Sequence, residues 1–234
     1  MAVLPWGATE AHNYHLPYAT DIIEGDHIAA EAARVAWESD ARVVVLPSIP
    51  FGVNTGQLDI KLDINMNPST QAAVLRDVVD SLAHQGIQKL VVLNSHGGND
   101  FKQMIRELQP QYPSVFLCTV SWYGILDLDA FFDEPGDHAG EMETSLLLYL
   151  TPHLVRPLEE AGDGAERKFR IRGLRERWVW APRHWRDVTA DTGVGNPARA
   201  TAEKGKRYFE AVTRQIGDFL IDLARADVND LYDN

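Results

Sequence analysis

Short apolar runs rich in β-branched residues alternate in this chain with longer segments of helical periodicity, and this alternation restricts the fold more than any other feature. Four runs predict strands, at residues 2–5, 43–46, 90–94 and 115–120. Strands joined by helical crossovers pair in parallel. Because the runs are nearly all apolar, we expect the strands to be covered on both faces. The chain is therefore predicted to be an α/β protein built on a mostly parallel sheet.

Helices are predicted between and after these strands. One begins at Asn67-Pro68, where a cap residue precedes a first-turn proline, and ends before Gly86. Residues 201–226 repeat apolar side chains at helical spacing, which predicts a long terminal helix docked on the sheet. Residues 22–38 and 141–150 are the other predicted helices.

Composition argues against several classes of protein. The formal net charge of −12 disfavours binding to nucleic acid, whose partners usually present a basic surface. No apolar run approaches the roughly 20 residues that span a bilayer, and the first residues lack the features of a signal peptide. We therefore expect a cytoplasmic protein with no membrane contact.

Cys118 is the single cysteine, so a metal ion would need His, Asp and Glu ligands. Without a linker-like stretch, residues 1–234 are expected to form one domain.

Acidic residues and histidines stand just past the carboxyl ends of the predicted strands. They are Glu10, His12, Asp21, His96, Glu141 and Glu143. Open parallel sheets bind their ligands at this edge. Glu10 and His12 are two apart in an extended stretch, so both can face the same side. Five or more such side chains can hold two divalent ions about 3.5–4 Å apart, with a bridging carboxylate and a shared activated water. The sequence therefore predicts metal-assisted hydrolysis.

Each of these residues has a simpler explanation when it is taken alone. A Glu or Asp near a helix start is most often a cap or a dipole partner, and a single His is most often structural. The hypothesis depends on their convergence at one edge. The irregular segment 159–197 also has alternatives, because Trp178, Trp180 and Trp185 are consistent with a pocket lid, a subunit contact or simple packing onto the body.

Four motifs in a fixed order carry a resemblance to a known family. They are Glu10-Ala11-His12 with His15-Leu16-Pro17 and Thr20-Asp21, then Asn94-Ser95-His96-Gly97-Gly98-Asn99, then His138-Ala139-Gly140-Glu141-Met142-Glu143-Thr144-Ser145, and finally Thr192-Gly193-Val194-Gly195-Asn196-Pro197. Through most of its length the chain resembles the creatininase (creatinine amidohydrolase) family. The resemblance implies a three-layer α/β/α sandwich, two divalent metal ions and hydrolysis of small, often cyclic, amides. It also implies a homo-oligomer, since relatives often form hexamers.

The resemblance also implies a ligand set. Glu10 and His12 would each bind one ion, Asp21 would bridge both, and His96 would complete the first set. Creatininase has a glutamate two residues after the histidine that matches His96, whereas this chain has Gly98. Many relatives share the glycine and have a glutamate at the position that matches Glu141.

Glu141 is accordingly our candidate for the fifth ligand. Glu143 is placed with the catalytic candidates in a supporting role, and the sequence leaves open which of the two glutamates binds metal. The glycine also weakens creatinine as the substrate. Zn²⁺, Mn²⁺ and Fe²⁺ all accept mixed imidazole and carboxylate ligands, so the metal is not determined.

Hydroxide formed at the metal pair is predicted to attack a carbonyl of a small cyclic amide and break its C–N bond. His138 is the candidate for delivering a proton to the leaving group. Asp137 is the candidate for orienting that imidazole or for taking part directly.

Two other hypotheses use the same metal site. In one, the substrate is an oxidised cyclitol, a keto-inositol of the 3-dehydro-scyllo-inosose type, whose C–C bond is broken. Asn13, Tyr14, Asn54, Gln57 and the tryptophan-bearing segment would suit its hydroxyl groups. In the other, the chain is a metal-stabilised binding protein without catalysis.

Overall fold

The computed structural model describes residues 1–232. Its strands are β1 (Ala2–Trp6), β2 (Val44–Val45), β3 (Lys89–Asn94) and β4 (Phe116–Ser121). Its helices are α1 (Thr20–Glu38), α2 (Pro68–His84), α3 (Lys102–Leu108), α4 (Glu141–Leu150), α5 (Arg172–Arg175), α6 (Trp185–Val188) and α7 (Ala202–Arg225). The four predicted strands and four predicted helices are all present, with ends that differ by at most two residues from the expected ones.

The strands form one parallel sheet in the order β2-β1-β3-β4. In the centre, Ala2 to Trp6 of β1 pair with Leu90 to Asn94 of β3. All side chains of β1, and those of β3 from Leu90 onward, are buried, as the apolar runs predicted.

The expectation that every strand is covered on both faces is wrong for the edges of the sheet. Val44 of β2 is 48% exposed, and most of β4 is only partly buried. The helices cover the middle of a four-stranded sheet, so the outer strands retain contact with solvent.

Helices lie on both faces of the sheet, which gives the three-layer α/β/α sandwich. One apolar core is formed under α2 and α3, where Leu75, Val79 and Leu108 pack on Leu90 and Val92. The other core is formed under α1, α4 and α7. Among the described residues, no helix has the length and hydropathy that a bilayer span requires.

The predicted terminal helix is present as α7, capped by the Thr201 hydroxyl, which accepts from the Lys204 amide. Its predicted docking on the sheet is confirmed, because Val212, Ile216 and Leu220 lie in one core with residues of β3, and Lys89 of β3 donates to the Leu223 carbonyl. The helix also packs closely against α1 and α4. Gly205 allows this approach, since a Cβ at that position would clash with the carbonyl of Ser145 in α4.

Candidate metal centre

Four of the predicted ligands lie together and are buried at the carboxyl edge of the sheet. Glu10 and His12 are on the extended segment that follows β1, and Asp21 is in the first turn of α1. His96 follows β3 by two residues. Their exposed fractions are 6% or less. Parallel pairing of β1 with β3 brings the two loops together, although they are about 85 residues apart in the chain.

The side chains form two groups that share Asp21. In the first, His96 Nδ1 lies 2.8 Å from Glu10 Oε1 and 3.1 Å from Asp21 Oδ2. In the second, His12 Nε2 lies 3.0 Å from Asp21 Oδ1 and 3.9 Å from Glu143 Oε1. Within each group the three potential ligand atoms are all within 4.8 Å of one another. Each Asp21 oxygen therefore faces a different histidine.

The structure brings Glu143, and not Glu141, to this cluster. Glu141 is fully buried, but its carboxylate accepts from the ammonium of Lys204 on α7 and from the Glu134 amide (2.6 Å). The expectation that Glu141 supplies the fifth ligand is therefore wrong in this structure. Residues two apart on a helix point in different directions, so only one of these glutamates can face Asp21.

The residues present fit divalent cations. His12 Nε2 and Asp21 Oδ2 are buried and make no hydrogen bond within residues 1–232, even though titratable atoms lie about 3 Å away. Buried carboxylates this close to one another need compensating positive charge. The set of imidazole nitrogens and carboxylate oxygens is one that Zn²⁺, Mn²⁺ and Fe²⁺ accept.

The pKa values of the cluster also indicate that the buried carboxylates stabilise positive charge. Burial favours the neutral form of His12, but Asp21, Glu143 and Glu10 outweigh it and raise the pKa of this imidazole to about 10. Burial likewise opposes the charged form of His96, and Glu10 and Asp21 raise its pKa. Burial pushes the pKa of Glu10 upward, but His96 and His138 overcome this and hold it below the ordinary value. Glu10 thus stays ionised beside positive charge, whereas burial raises the pKa of Glu143 above its ordinary value.

Each imidazole at the site has one nitrogen bonded to a backbone carbonyl. His12 Nδ1 donates to Glu10 O (3.0 Å), His96 Nε2 donates to Val53 O (3.1 Å), and His138 Nε2 donates to Ala11 O (2.8 Å). The other nitrogen of each ring is left facing the cluster. Metal-binding histidines are commonly held in this way, because the carbonyl determines the tautomer and the ring orientation.

His138 lies at the edge of the cluster. Its ring centroid is 4.1 Å from that of His12 and 4.9 Å from that of Trp185, which meets it edge-on. His138 Nδ1 lies 3.7 Å from Glu10 Oε1. The expectation that Asp137 orients this ring is wrong, because the Asp137 carboxylate accepts from Arg183 Nη1 (2.6 Å) and the ring is oriented by the Ala11 carbonyl.

Comparison with known proteins agrees with this geometry. The model of the Creatininase family, described as creatinine amidohydrolase, matches residues 1–220. The chain belongs to the creatininase family. It is accordingly a hydrolase of a family whose members are metal-dependent amidohydrolases.

Three relatives illustrate the range of the family. A Bacteroides fragilis crystal structure, assigned provisionally as a creatinine amidohydrolase, is 45% identical, has a TM-score of 0.93 and is matched over 99% of this chain and 91% of its own. The mycofactocin precursor peptide peptidase of Mycobacterium tuberculosis is 28% identical over 220 residues, which are 90% of this chain and 80% of the relative. A structure of creatininase with manganese has a TM-score of 0.80 at 20% identity, over 97% and 91% of the two chains, and shares the fold.

This creatininase-family chain has a structural reason for Gly98. A Cβ at that position would clash with the Val53 carbonyl and with the His96 ring. The loop after β3 therefore has no room for a side chain here, and Glu143 of α4 supplies a carboxylate beside His12 in addition to that of Asp21.

A cavity of about 870 Å³ opens onto the cluster. The cluster contributes Glu10, Asp21, His96 and Glu143 to its lining, and the other lining residues include His138, Asn54, Gln57, Trp180, Arg183 and Trp185. Trp180 and Trp185 thus form part of the cavity wall, whereas Trp178 is 71% exposed and does not line it. Asn13 and Tyr14 also lie outside the lining, because Asn13 bonds to the Gly162 backbone and Tyr14 to the Ala190 carbonyl.

Sequence reasoning did not find the support that Arg183 and Asp63 give to the site, and it assigned Gln57 to the substrate and not to Glu10. Gln57 donates to Glu10, Arg183 pairs with Asp137, and Asp63 accepts from the Ala11 amide. All three lie in irregular segments without a motif or a periodicity that would indicate them. Glu24 is different, because it follows Asp21 by one helical turn and is likewise buried, so the helical pattern of α1 could have indicated it.

Proposed function

We propose that this protein is a dinuclear metal-dependent amidohydrolase that breaks C–N bonds. The observation that carries the proposal is the position of Asp21, whose two oxygens face two separate groups of ligand atoms. One ion would be held by Glu10, Asp21 and His96, and the other by His12, Asp21 and Glu143. A carboxylate shared in this way is the usual bridge of a two-metal hydrolase.

The bound ions would polarise the carbonyl of the substrate and lower the pKa of a water molecule toward neutrality. Residues of the protein would hold the ligand carboxylates and transfer the proton. Gln57 holds the Glu10 carboxylate, and the Ala139 amide holds that of Glu143. The Ala11 carbonyl keeps the proton of His138 on Nε2, so its Nδ1 is free to take a proton and to pass it to the leaving nitrogen. Trp185 covers one edge of this imidazole.

The size of the cavity bears on the substrate. At about 870 Å³ it lies near the upper end of the range of pockets that hold drug-sized ligands, and one five-membered ring would leave most of it empty. A relative that covers most of this chain is named as a peptide peptidase. We therefore propose an amide with an extended substituent, such as a peptide, as the first substrate class to test, with small cyclic amides as the second.

Hydrolysis of the C–C bond of a keto-inositol is less well supported as the reaction. Two of the four residues that would suit its hydroxyl groups, Asn13 and Tyr14, do not line the cavity. The amide nitrogens of the other two are engaged, since Asn54 donates to the Thr9 and Ile64 carbonyls and Gln57 donates to Glu10.

The proposal is tested by removing metal with a chelator, restoring Zn²⁺ or Mn²⁺, and screening short peptides, lactams including creatinine, and keto-inositols. We expect two ions per chain and turnover of at least one amide that depends on their return. If the protein holds two ions but turns over only keto-inositols, the reaction is C–C hydrolysis and not C–N hydrolysis. Undiminished amide hydrolysis by the metal-free protein would remove the proposal.

Three further expectations stay predictions: the homo-oligomer, the cytoplasmic location and the single domain spanning residues 1–234. The exposed apolar side chains of Trp178, Trp180 and Leu58 are consistent with a subunit contact. Light scattering coupled to gel filtration measures the assembly directly.

A further inference from the structure

The segment that contributes Glu10 and His12 is held in place by a neighbouring loop. Ile64 N donates to Thr9 O (3.0 Å), and these two residues form an isolated antiparallel bridge. One residue earlier in that loop, Asp63 Oδ1 accepts from the Ala11 amide at 2.8 Å. Asp63 is half-buried, and it belongs to neither group of potential metal ligands.

Ala11 connects Asp63 to His138 through its backbone. Its N–H is bound by the Asp63 carboxylate, and its carbonyl accepts from His138 Nε2 at 2.8 Å. The methyl side chain of Ala11 offers no polar group, so this connection depends only on the orientation of the backbone at Ala11. The two residues that flank Ala11, Glu10 and His12, both carry potential metal ligands, and a third group of ligand atoms joins both of them to His138.

We propose that Asp63 is a positioning residue for the metal centre and for His138, an inference that rests on the proposed function. Its carboxylate holds the Ala11 backbone so that Glu10 and His12 both face the cluster and the Ala11 carbonyl faces His138. Rotation about the Ala11 backbone would move both ligands and remove the acceptor of the His138 proton.

The other contacts of Asp63 support this role. Its second oxygen, Oδ2, is buried and makes no hydrogen bond within the described residues. Asp63 also takes part in no ion pair there, unlike Asp59 in the same loop, which pairs with Arg186 at 2.8 Å. The bond to Ala11 is therefore the contact through which its carboxylate acts on the surrounding structure.

The experiment compares Asp63→Ala, Asp63→Asn and Asp59→Ala with the wild-type protein, all loaded with zinc. Zinc affinity is measured by competition with a chelator, and the tautomer of His138 by ¹⁵N NMR, with His138→Gln used to assign the signals. For Asp63→Ala we expect about 10-fold weaker zinc binding, as is usual when a partner of a ligand segment is lost, and a mixture of His138 tautomers. Asp63→Asn keeps an oxygen acceptor and should restore both properties. Asp59→Ala loosens the same loop without touching Ala11 and should leave both unchanged.

Wild-type zinc affinity and a single Nε2–H tautomer in Asp63→Ala would overturn the inference, and so would equal losses in Asp59→Ala. Two measurements on the wild-type protein decide the matter if Asp63→Ala does not fold. The Ala11 amide should be protected from hydrogen exchange, and His138 should carry its proton on Nε2. Exchange of Ala11 at the rate of an exposed amide would overturn the inference. A wild-type protein that binds no zinc would instead contradict the proposed function.

Discussion

His12 Nε2 lies 3.0 Å from Asp21 Oδ1, and both side chains are buried, with exposed fractions of 0% and 2%. The opposite oxygen of the same carboxylate faces His96. Asp21 is therefore placed between two histidines that come from different loops, as its proposed bridging role requires.

Asp21→Ala should lose both metal ions, because this carboxylate belongs to both groups of ligands. His12→Ala should lose the ion of its own group and keep the other with reduced affinity. Metal content by mass spectrometry measures both results. Asp26→Ala, on the exposed side of the same helix, is the control and should keep two ions. Two tightly held ions in Asp21→Ala would contradict the bridging role.

Glu143→Gln and Glu141→Gln should have different effects. The first removes a charge beside His12, so we expect the affinity for one ion to fall by about 100-fold or more, with little change in folding. The second leaves the Lys204 ammonium without its buried partner, so the free energy of unfolding should fall by about 1–3 kcal/mol while both ions are kept. Calorimetric zinc titration and thermal denaturation separate the two effects, and the reverse pattern would restore Glu141 as the ligand.

His138→Gln should reduce kcat by a factor of about 10²–10⁴ through loss of proton transfer, with metal content near that of the wild type. His138 also lies within 4.8 Å of ligand atoms of Glu10 and His12, so a direct ligand role is the alternative. Loss of an ion together with turnover would favour that alternative. The measurement is the metal content of the purified variant beside its rate on whichever amide the wild type hydrolyses.

Gly98→Ala should disturb the site, whereas Gly97→Ala should not. A Cβ at position 98 would clash with Val53 and His96, but a Cβ at position 97 meets no atom within 4 Å. We expect Gly98→Ala to lose metal affinity by displacing the His96 ring. Gly97→Ala serves as the matched control in the same loop. Equal metal binding by the two variants would show that the loop adapts.

His15 should make the protein less stable in acid. Burial is the main reason that the pKa of this imidazole is lowered to about 4, and the nearby His12 adds to it. Between pH 6.5 and 4 the unfolded chain binds a proton at this position that the folded chain does not, so stability falls as the pH falls. The shift corresponds to about 3 kcal/mol. Urea unfolding across this pH range should show a smaller loss in His15→Gln than in the wild type.

The arrangement of strands and helices was largely predictable from the residues. The apolar run at 90–94 and the cap at Asn67-Pro68 depend on near neighbours in the chain, and both β3 and α2 are found where they were expected. The packing of α7 was only partly predictable in this way. Its apolar face meets the core on β3 as expected, but its close packing against α1 and α4 depends on where those helices lie.

The residue types at the candidate metal centre, their order and their position past the strand ends followed from the sequence alone, because parallel strands place their carboxyl ends at one edge. The sequence alone did not determine whether Glu141 or Glu143 lies in the cluster, since both are in the first turn of the same helix. The rotation of α4 about its axis makes that choice, and packing against α7 through Lys204 and Gly205 determines the rotation. The contacts of His138 with Ala11, and of Ala11 with Asp63, likewise exist only after distant segments have packed, because a backbone hydrogen bond carries no signature in the residues that make it.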